Sequence, residues 1–364
     1  MNNRARLMVL GALVSALASG VCHAKNKAKE TVFTLSNDAN HNAVLAFDRD
    51  NAGYLHAAGQ FDTGGTGTGG GLGNQGALAL SKNERYLFAV NAGSDEVSVF
   101  RVSTSGLELL DKAPVSGDEP VSVTVDHNLV YVVNAGDDSI FGFRFDPRSG
   151  QLHSLPESYR ALSAPGSAPA QISFNHEGNA LAITEKATNK ITTFALDDNG
   201  LPATRHTLDS AGVTPFGFSF GKRDQFFVAE AAGGSTNAST VSSYEIMEDG
   251  TVRLLDGAVA VGQTAACWLT TTPNGRIAFT ANTPADSISS FAIDPAGNLT
   301  LLETMAAQED DPRDMAISDD GRNVYTLNGG NNTIGVYQVL TKGKLQKLQS
   351  VDQLPAGFTG LVVR

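Results

Sequence analysis

Cysteine is nearly missing from this chain: 364 residues contain two, Cys22 and Cys267. That excludes a disulfide framework, and with no Cys/His cluster it leaves no zinc motif. Charge is sparse as well, at 18% of residues, unlike the composition of a coiled coil or a helical bundle. Basic residues are outnumbered, 26 against 38 acidic, which argues against a general nucleic-acid binder or a protein held on anionic lipid. There is no GxSxG, no HExxH and no Gly-Lys-Ser/Thr, so the common hydrolase, metalloprotease and phosphate-loop signatures are missing. Gly65-Thr-Gly67-Thr-Gly69-Gly70 fits GxGxxG by letter only, because no helix or paired strand unit follows it. What is abundant is glycine, 38 residues, and apolar residues, 41% of the chain. That is the composition of a turn-rich protein with a substantial core.

The first 24 residues read as an export leader. Arg4 and Arg6 form the positive region, Leu7 to Val14 open an apolar run, and Cys22-His23-Ala24 places small residues at the cleavage positions. Residues before Cys22 are a poor match to a lipidation site, so the expectation is a released periplasmic or secreted protein starting at Lys25. No second apolar stretch approaches the length of a membrane span, so no membrane association is expected after cleavage. Cys267 is then the only cysteine left.

Residues 25–364 are organised by a repeat. Each unit has a short apolar run, a polar turn, a second apolar run ending in Asn or an acid, and an alternating run ending in an aromatic. The aromatics are Phe47, Phe100, Phe143, Phe194, Tyr244, Phe291 and Tyr337, spaced 43 to 53 residues apart. Runs of four to seven residues, rich in Val, Ile, Phe and Thr and split by Gly, Asn and Asp, are strands. Seven four-stranded units of this length predict an all-β protein, a seven-bladed β-propeller of antiparallel blades. Unit one begins at Thr31 without a first strand, and a spare apolar run, Gly360 to Val363, follows unit seven. That run is expected to close the ring.

The unit LALSKNERYLFAVNAGSDEVSVF resembles the seven-bladed lactonase family, which includes bacterial 6-phosphogluconolactonase-like proteins and fungal 3-carboxymuconate cyclases. TEKATNKITTF, TPFGFSF and AACWLTTTPNGR resemble a secreted bacterial branch of it. The resemblance implies the propeller fold and activity on a small lactone. The cyclases carry a His and an Arg at the first-strand starts of successive middle blades, then a Glu ending a second strand. Here those starts hold Gln171 and Phe216-Gly217, and only Glu230 matches, which puts the cyclase reaction in doubt.

Antiparallel strands put the start of strand one and the end of strand two on one face, at the channel mouth. The strand-two ends read Asp38, Asn91, Asn134, Glu185, Glu230, Asn282 and Asn328. Asn at such a place is ordinarily a turn residue; two carboxylates on neighbouring blades are the break in the pattern. Glu230 and Glu185 are therefore the candidate base for activating water, with Lys186 and Arg313 to polarise a carbonyl. Gln171, Trp268, Asn91, Asn134, Asn282 and His41 are candidates for binding a sugar-like ring. The bland alternatives are satisfied turn amides, a Trp packed between blades, a solvated His41 and an Arg313 paired with Asp311 or Asp314. No cofactor is required. A Glu among Asn oxygens at the mouth can bind Ca²⁺, but the spacing does not support such a site. The tract Thr63 to Gly76 is expected to be a long interblade loop able to fold over the mouth. The leading function is hydrolysis of a small sugar-derived or similar lactone. The alternative is a non-catalytic propeller that binds a ligand or protein at the same mouth.

Overall fold

A computed structural model describes residues 30–364; the leader expected at residues 1–24 lies outside them. The described residues form seven four-stranded antiparallel sheets, and the strands of blades two to seven are ordered as they occur in the sequence. Their only helical segments are three short 3₁₀ turns, so none is long and apolar enough to cross a membrane.

Blade one draws on both ends of the chain. Its inner strand is Thr359–Val363, paired with Thr31–Leu35 so that Val363 lies opposite Val32 and Leu361 opposite Thr34. The spare C-terminal run does close the ring. It belongs there because Phe358 and Leu361 enter a buried cluster with Val32, Phe47, Tyr325 and Leu327, which joins blades one and seven.

Burial follows the repeat. Second strands such as Tyr86–Asn91, Ala180–Glu185 and Asn323–Asn328 are buried along their whole length, sandwiched between neighbouring blades. Outermost strands such as Leu55–Asp62 face water at nearly every residue. The anchors Phe100, Phe143, Phe194, Tyr244, Phe291 and Tyr337 are all buried. Blades three to six are also latched in succession by a polar contact at the outer turn. Tyr131 Oη donates to the Gly200 carbonyl (2.6 Å), Thr193 Oγ1 to Gly250 (2.6 Å) and Ser243 Oγ to Gly297 (2.7 Å). Gly200 is needed there: its φ is +75°, and a Cβ would sit 2.4 Å from Leu129 Cδ1 of the preceding blade.

The extra residues of blade five follow a second strand that ends at Glu230, and they include a 3₁₀ turn, Ala232–Gly234. In blade one the count from the aromatic anchor lands too far along. The second strand ends at Leu35, and Asp38 lies in the turn beyond, accepting the N–H groups of Asn40 and His41.

Candidate functional site

The strand-two ends do not form the mouth. Glu185 and Glu230 are both 0% exposed, held inside their blades by hydrogen-bond donors. Glu185 accepts from the Ser163 N–H (3.1 Å), the Ser163 hydroxyl, Thr188 Oγ1 (2.7 Å) and Thr192 Oγ1 (2.6 Å). Glu230 accepts from Ser210 Oγ, the Gly212 N–H and Ser242 Oγ (each 2.8 Å), from Thr240 Oγ1, and from Tyr244 Oη at 3.4 Å. Ser163, Ser210 and Gly212 belong to the crossovers that enter blades four and five. Each carboxylate is therefore a clamp fastening a crossover to a blade, with no face left for water. The general-base role expected for this pair is corrected accordingly.

The asparagines are corrected for the same reason. Asn91 donates to Ser98 Oγ (2.8 Å), Asn134 to Ser139 Oγ (2.9 Å), and Asn282 to Ser287 (3.1 Å) and Ser289 (2.8 Å), all at 0% exposure. A crossover glycine presses on several of these residues. A Cβ at Gly117 would meet Asn134 Nδ2 at 2.2 Å, and one at Gly212 would meet Glu230 Oε2 at 2.1 Å. The strand-two end is a packing position for an acid or amide, and glutamate is simply the longer version. His41 is exposed in its turn and lines none of the cavities described below.

The first-strand starts do face the channel, and the tract 63–76 crosses it. Asn74 accepts from Trp268 Nε1 through its carbonyl (2.7 Å) and from Thr359 Oγ1 through its side chain (3.0 Å), and its amide donates to Val121. Gln75 bridges to blade six, donating to the Leu269 carbonyl (2.8 Å) and accepting its N–H (3.1 Å). The Gln75 N–H reaches Ala170 of blade four (3.0 Å). This strap divides the channel. Below it lie adjoining spaces of about 400 and 370 Å³, lined by Leu80, Ser219, Phe220 and Thr270. Gln171 borders the lower space, but its amide is committed to the backbone of Phe218 (3.0 and 2.7 Å), which removes it from the expected binding set. Replacing Gln75 by Ala leaves both groups of Leu269 unpaired. That should cost about 1–3 kcal/mol, read as a lower midpoint in a urea melt.

Above the strap is a cavity of about 290 Å³, lined by Gly71 to Asn74, Trp268, Arg313, Asp314, Leu327, Phe358 and Thr359. Trp268 is both wall and packing, since its ring lies 5.1 Å from that of Phe216. Arg313 keeps 41% of its side chain exposed and pairs with Asp311 at 2.6 Å. Lys186 reaches over the Phe216 ring, 5.0 Å from its centroid, and donates to the Gly73 carbonyl, so it pins the strap. Burial pushes its pKa down to about 8. Cys267 is buried and its thiol is pushed up to about 12, which disqualifies it as a thiolate nucleophile.

Of the two acids expected as partners for Arg313, Asp311 takes that role, and Asp314 has a different place. It sits at a β-bulge, between Arg313 opposite Leu327 and Met315 opposite Thr326, with φ +34°. Asp314 lines the cavity, while Arg313 pairs with Asp311. The carboxyl is 3% exposed; Oδ1 accepts the Met315 N–H (2.8 Å), whereas Oδ2 is buried and makes no hydrogen bond. Burial pushes its pKa up to about 7, against the opposing pull of the Met315, Leu361 and Gly76 amides. A usable signal was present in the sequence. The third residues of the strand-one starts are Ser122, Gln171, Gly217, Trp268 and Asp314, and only the last is ionisable.

That raised pKa predicts a pH dependence of stability. The unfolded chain releases this proton near pH 4 and the folded chain near pH 7. Between those values the folded state binds the extra proton, so its stability falls as pH rises and levels off above 7. Asp314→Asn lacks this loss. Its melting temperature should gain on that of the parent from pH 4 to pH 7.

Residues 18–165 and 262–359 match the family model described as "Lactonase, 7-bladed beta-propeller". The chain belongs to this lactonase family. The strap, Trp268, Arg313 and Asp314 all lie within the matched spans, whereas Glu185 and Glu230 lie between them. Three solved structures share the fold of this lactonase-family chain. A protein of Lactobacillus plantarum is 19% identical with TM-score 0.76, covering 92% of this chain and 99% of its own. A candidate 6-phosphogluconolactonase of Bacteroides fragilis is 17% identical with TM-score 0.75, covering 93% and 99%. A periplasmic gluconolactonase of Pseudomonas aeruginosa is 17% identical with TM-score 0.70, covering 92% and 98%. Among the described residues of this family member, no three His, Cys, Asp or Glu side chains are grouped to hold a metal ion.

Proposed function

We propose that this family member is an exported hydrolase that opens a small sugar-derived or similar lactone in the cavity above the strap. The observation that carries the reading is the meeting of three chemistries in one small space: the Arg313 guanidinium, the Trp268 ring and a buried carboxyl. Ligand pockets commonly measure about 300–1,000 Å³, so a cavity of about 290 Å³ suits a compact ring. The indole offers an apolar face to such a ring. Arg313 supplies N–H donors for the oxygen that gains charge when water adds to the acyl carbon, and for the carboxylate of the product. Export rests on Arg4, Arg6, the apolar run and Cys22-His23-Ala24.

The test is a screen of the purified mature chain against aldonolactones and acyl lactones, with proton release as the signal. Arg313→Ala should lower kcat/KM on a turned-over lactone by about 10²–10³. If no lactone is opened but a sugar raises the melting temperature, the protein is a binding propeller instead. Intact-mass measurement of exported material should show Lys25 as the N-terminus; a lipid-modified Cys22 would overturn simple release.

A further inference from the structure

We infer that Asp314 is the catalytic base of this site: its free Oδ2 takes the proton of the water that attacks the lactone carbonyl. The inference rests on the lactonase reading above. Four features of the structure carry it.

Asp314 is one of the residues lining the space a small ligand would fill. It sits at the register shift that the first strands of blades three to seven share, but with a φ of +34°, a left-handed conformation that is costly away from glycine. Its Oδ2 is buried without any hydrogen bond. Elsewhere in this protein buried carboxylates are saturated: Glu185 and Glu230 have four or more donors each, and Glu309 is held by Lys347 and Tyr337. A buried carboxylate oxygen without a hydrogen bond, on a residue that lines a cavity, is therefore an exception in this protein. Finally, the charged groups around it leave its basicity intact. Arg313 is drawn off by Asp311 and Lys186 by the Gly73 carbonyl. The strap and the closing strand face the cavity with Leu72, Asn74, Phe358 and Thr359, all uncharged. A base poised near neutral pH results.

The step balances without a cofactor. Water oxygen bonds to the acyl carbon while one water proton passes to Oδ2. Collapse of the tetrahedral adduct breaks the bond between that carbon and the ring oxygen. The ring oxygen leaves as a hydroxyl, taking the proton back from the Asp314 carboxylic acid. The product is an open hydroxy acid whose own carboxyl releases the proton that the assay detects.

The experiment is the pH–rate profile of the mature protein on a lactone it turns over, paired with Asp314→Asn. The parent's kcat/KM should rise through a single ionisation near pH 7, and the variant should lose about 10²–10⁴ in kcat. Circular dichroism should show the variant folded at pH 5, so the loss is chemical. A parent profile that is flat from pH 5 to 8, or a variant within threefold of the parent, overturns the role of Asp314 while lactone hydrolysis stands. A parent that opens no lactone in the panel overturns both.

Discussion

Deleting residues 357–364 should abolish the cooperative thermal transition and drive the protein into aggregates on size exclusion. The deleted segment is the whole inner strand of blade one. Phe358 and Leu361, both 5% exposed, leave a cluster with Val32, Phe47, Tyr325 and Leu327, and the partly buried Val362 and Val363 go with them. A fully buried side chain of this kind contributes about 1.5–3 kcal/mol. The combined loss is comparable to the whole stability of a typical domain, about 5–15 kcal/mol. The cut also strips the ladder partner from Thr31–Leu35 and exposes its edge in the ring interior. Thr359 is lost as well, and with it the hydrogen bond that anchors Asn74 of the strap. A truncated protein that melts like the parent would mean that ring closure contributes little.

Glu230→Ala should be strongly destabilising, by about 3–5 kcal/mol, with a fall in Tm on the order of 10 °C. Its carboxylate accepts from Ser210, Gly212, Thr240 and Ser242 in a fully buried position, and alanine leaves all four donors facing a void. The crossover into blade five would lose its clamp. Glu230→Gln keeps the length and one acceptor oxygen but turns an NH₂ toward hydroxyl donors, and should lose about half as much. The measurement that matters is turnover per folded molecule, taken well below the melting transition. It should stay within a few-fold of the parent for Glu230→Gln. A drop of a hundredfold without a change in Tm would return the base to Glu230 and remove it from Asp314.

The amino-acid sequence determined the architecture. Seven aromatic anchors at near-constant spacing, strands at period two and turn residues between them are local signals, and each blade is a local structure. Even closure was legible, because a unit short of one strand at Thr31 and a spare run at Gly360 admit few other pairings. The strap was legible as an overlong glycine-rich loop.

The site was decided by tertiary structure. The sequence singles out Glu185 and Glu230 because they interrupt a column of asparagines, but it does not show whether a column faces the channel or the next blade. Donors from the crossovers at Ser163, Ser210 and Gly212 satisfy both carboxylates, and those contacts exist only once neighbouring blades pack. Asp314 differs in the opposite way. Beside Arg313 it reads as an ordinary ion pair, yet Arg313 pairs with Asp311 and Asp314 lines the cavity together with the strap and the closing strand. Burial and an unused oxygen come from segments more than two hundred residues earlier and about fifty later, the strap at Gly71–Asn74 and the strand at Thr359. Local sequence sets which residue is there; the enclosure that makes its chemistry unusual is a property of the closed ring.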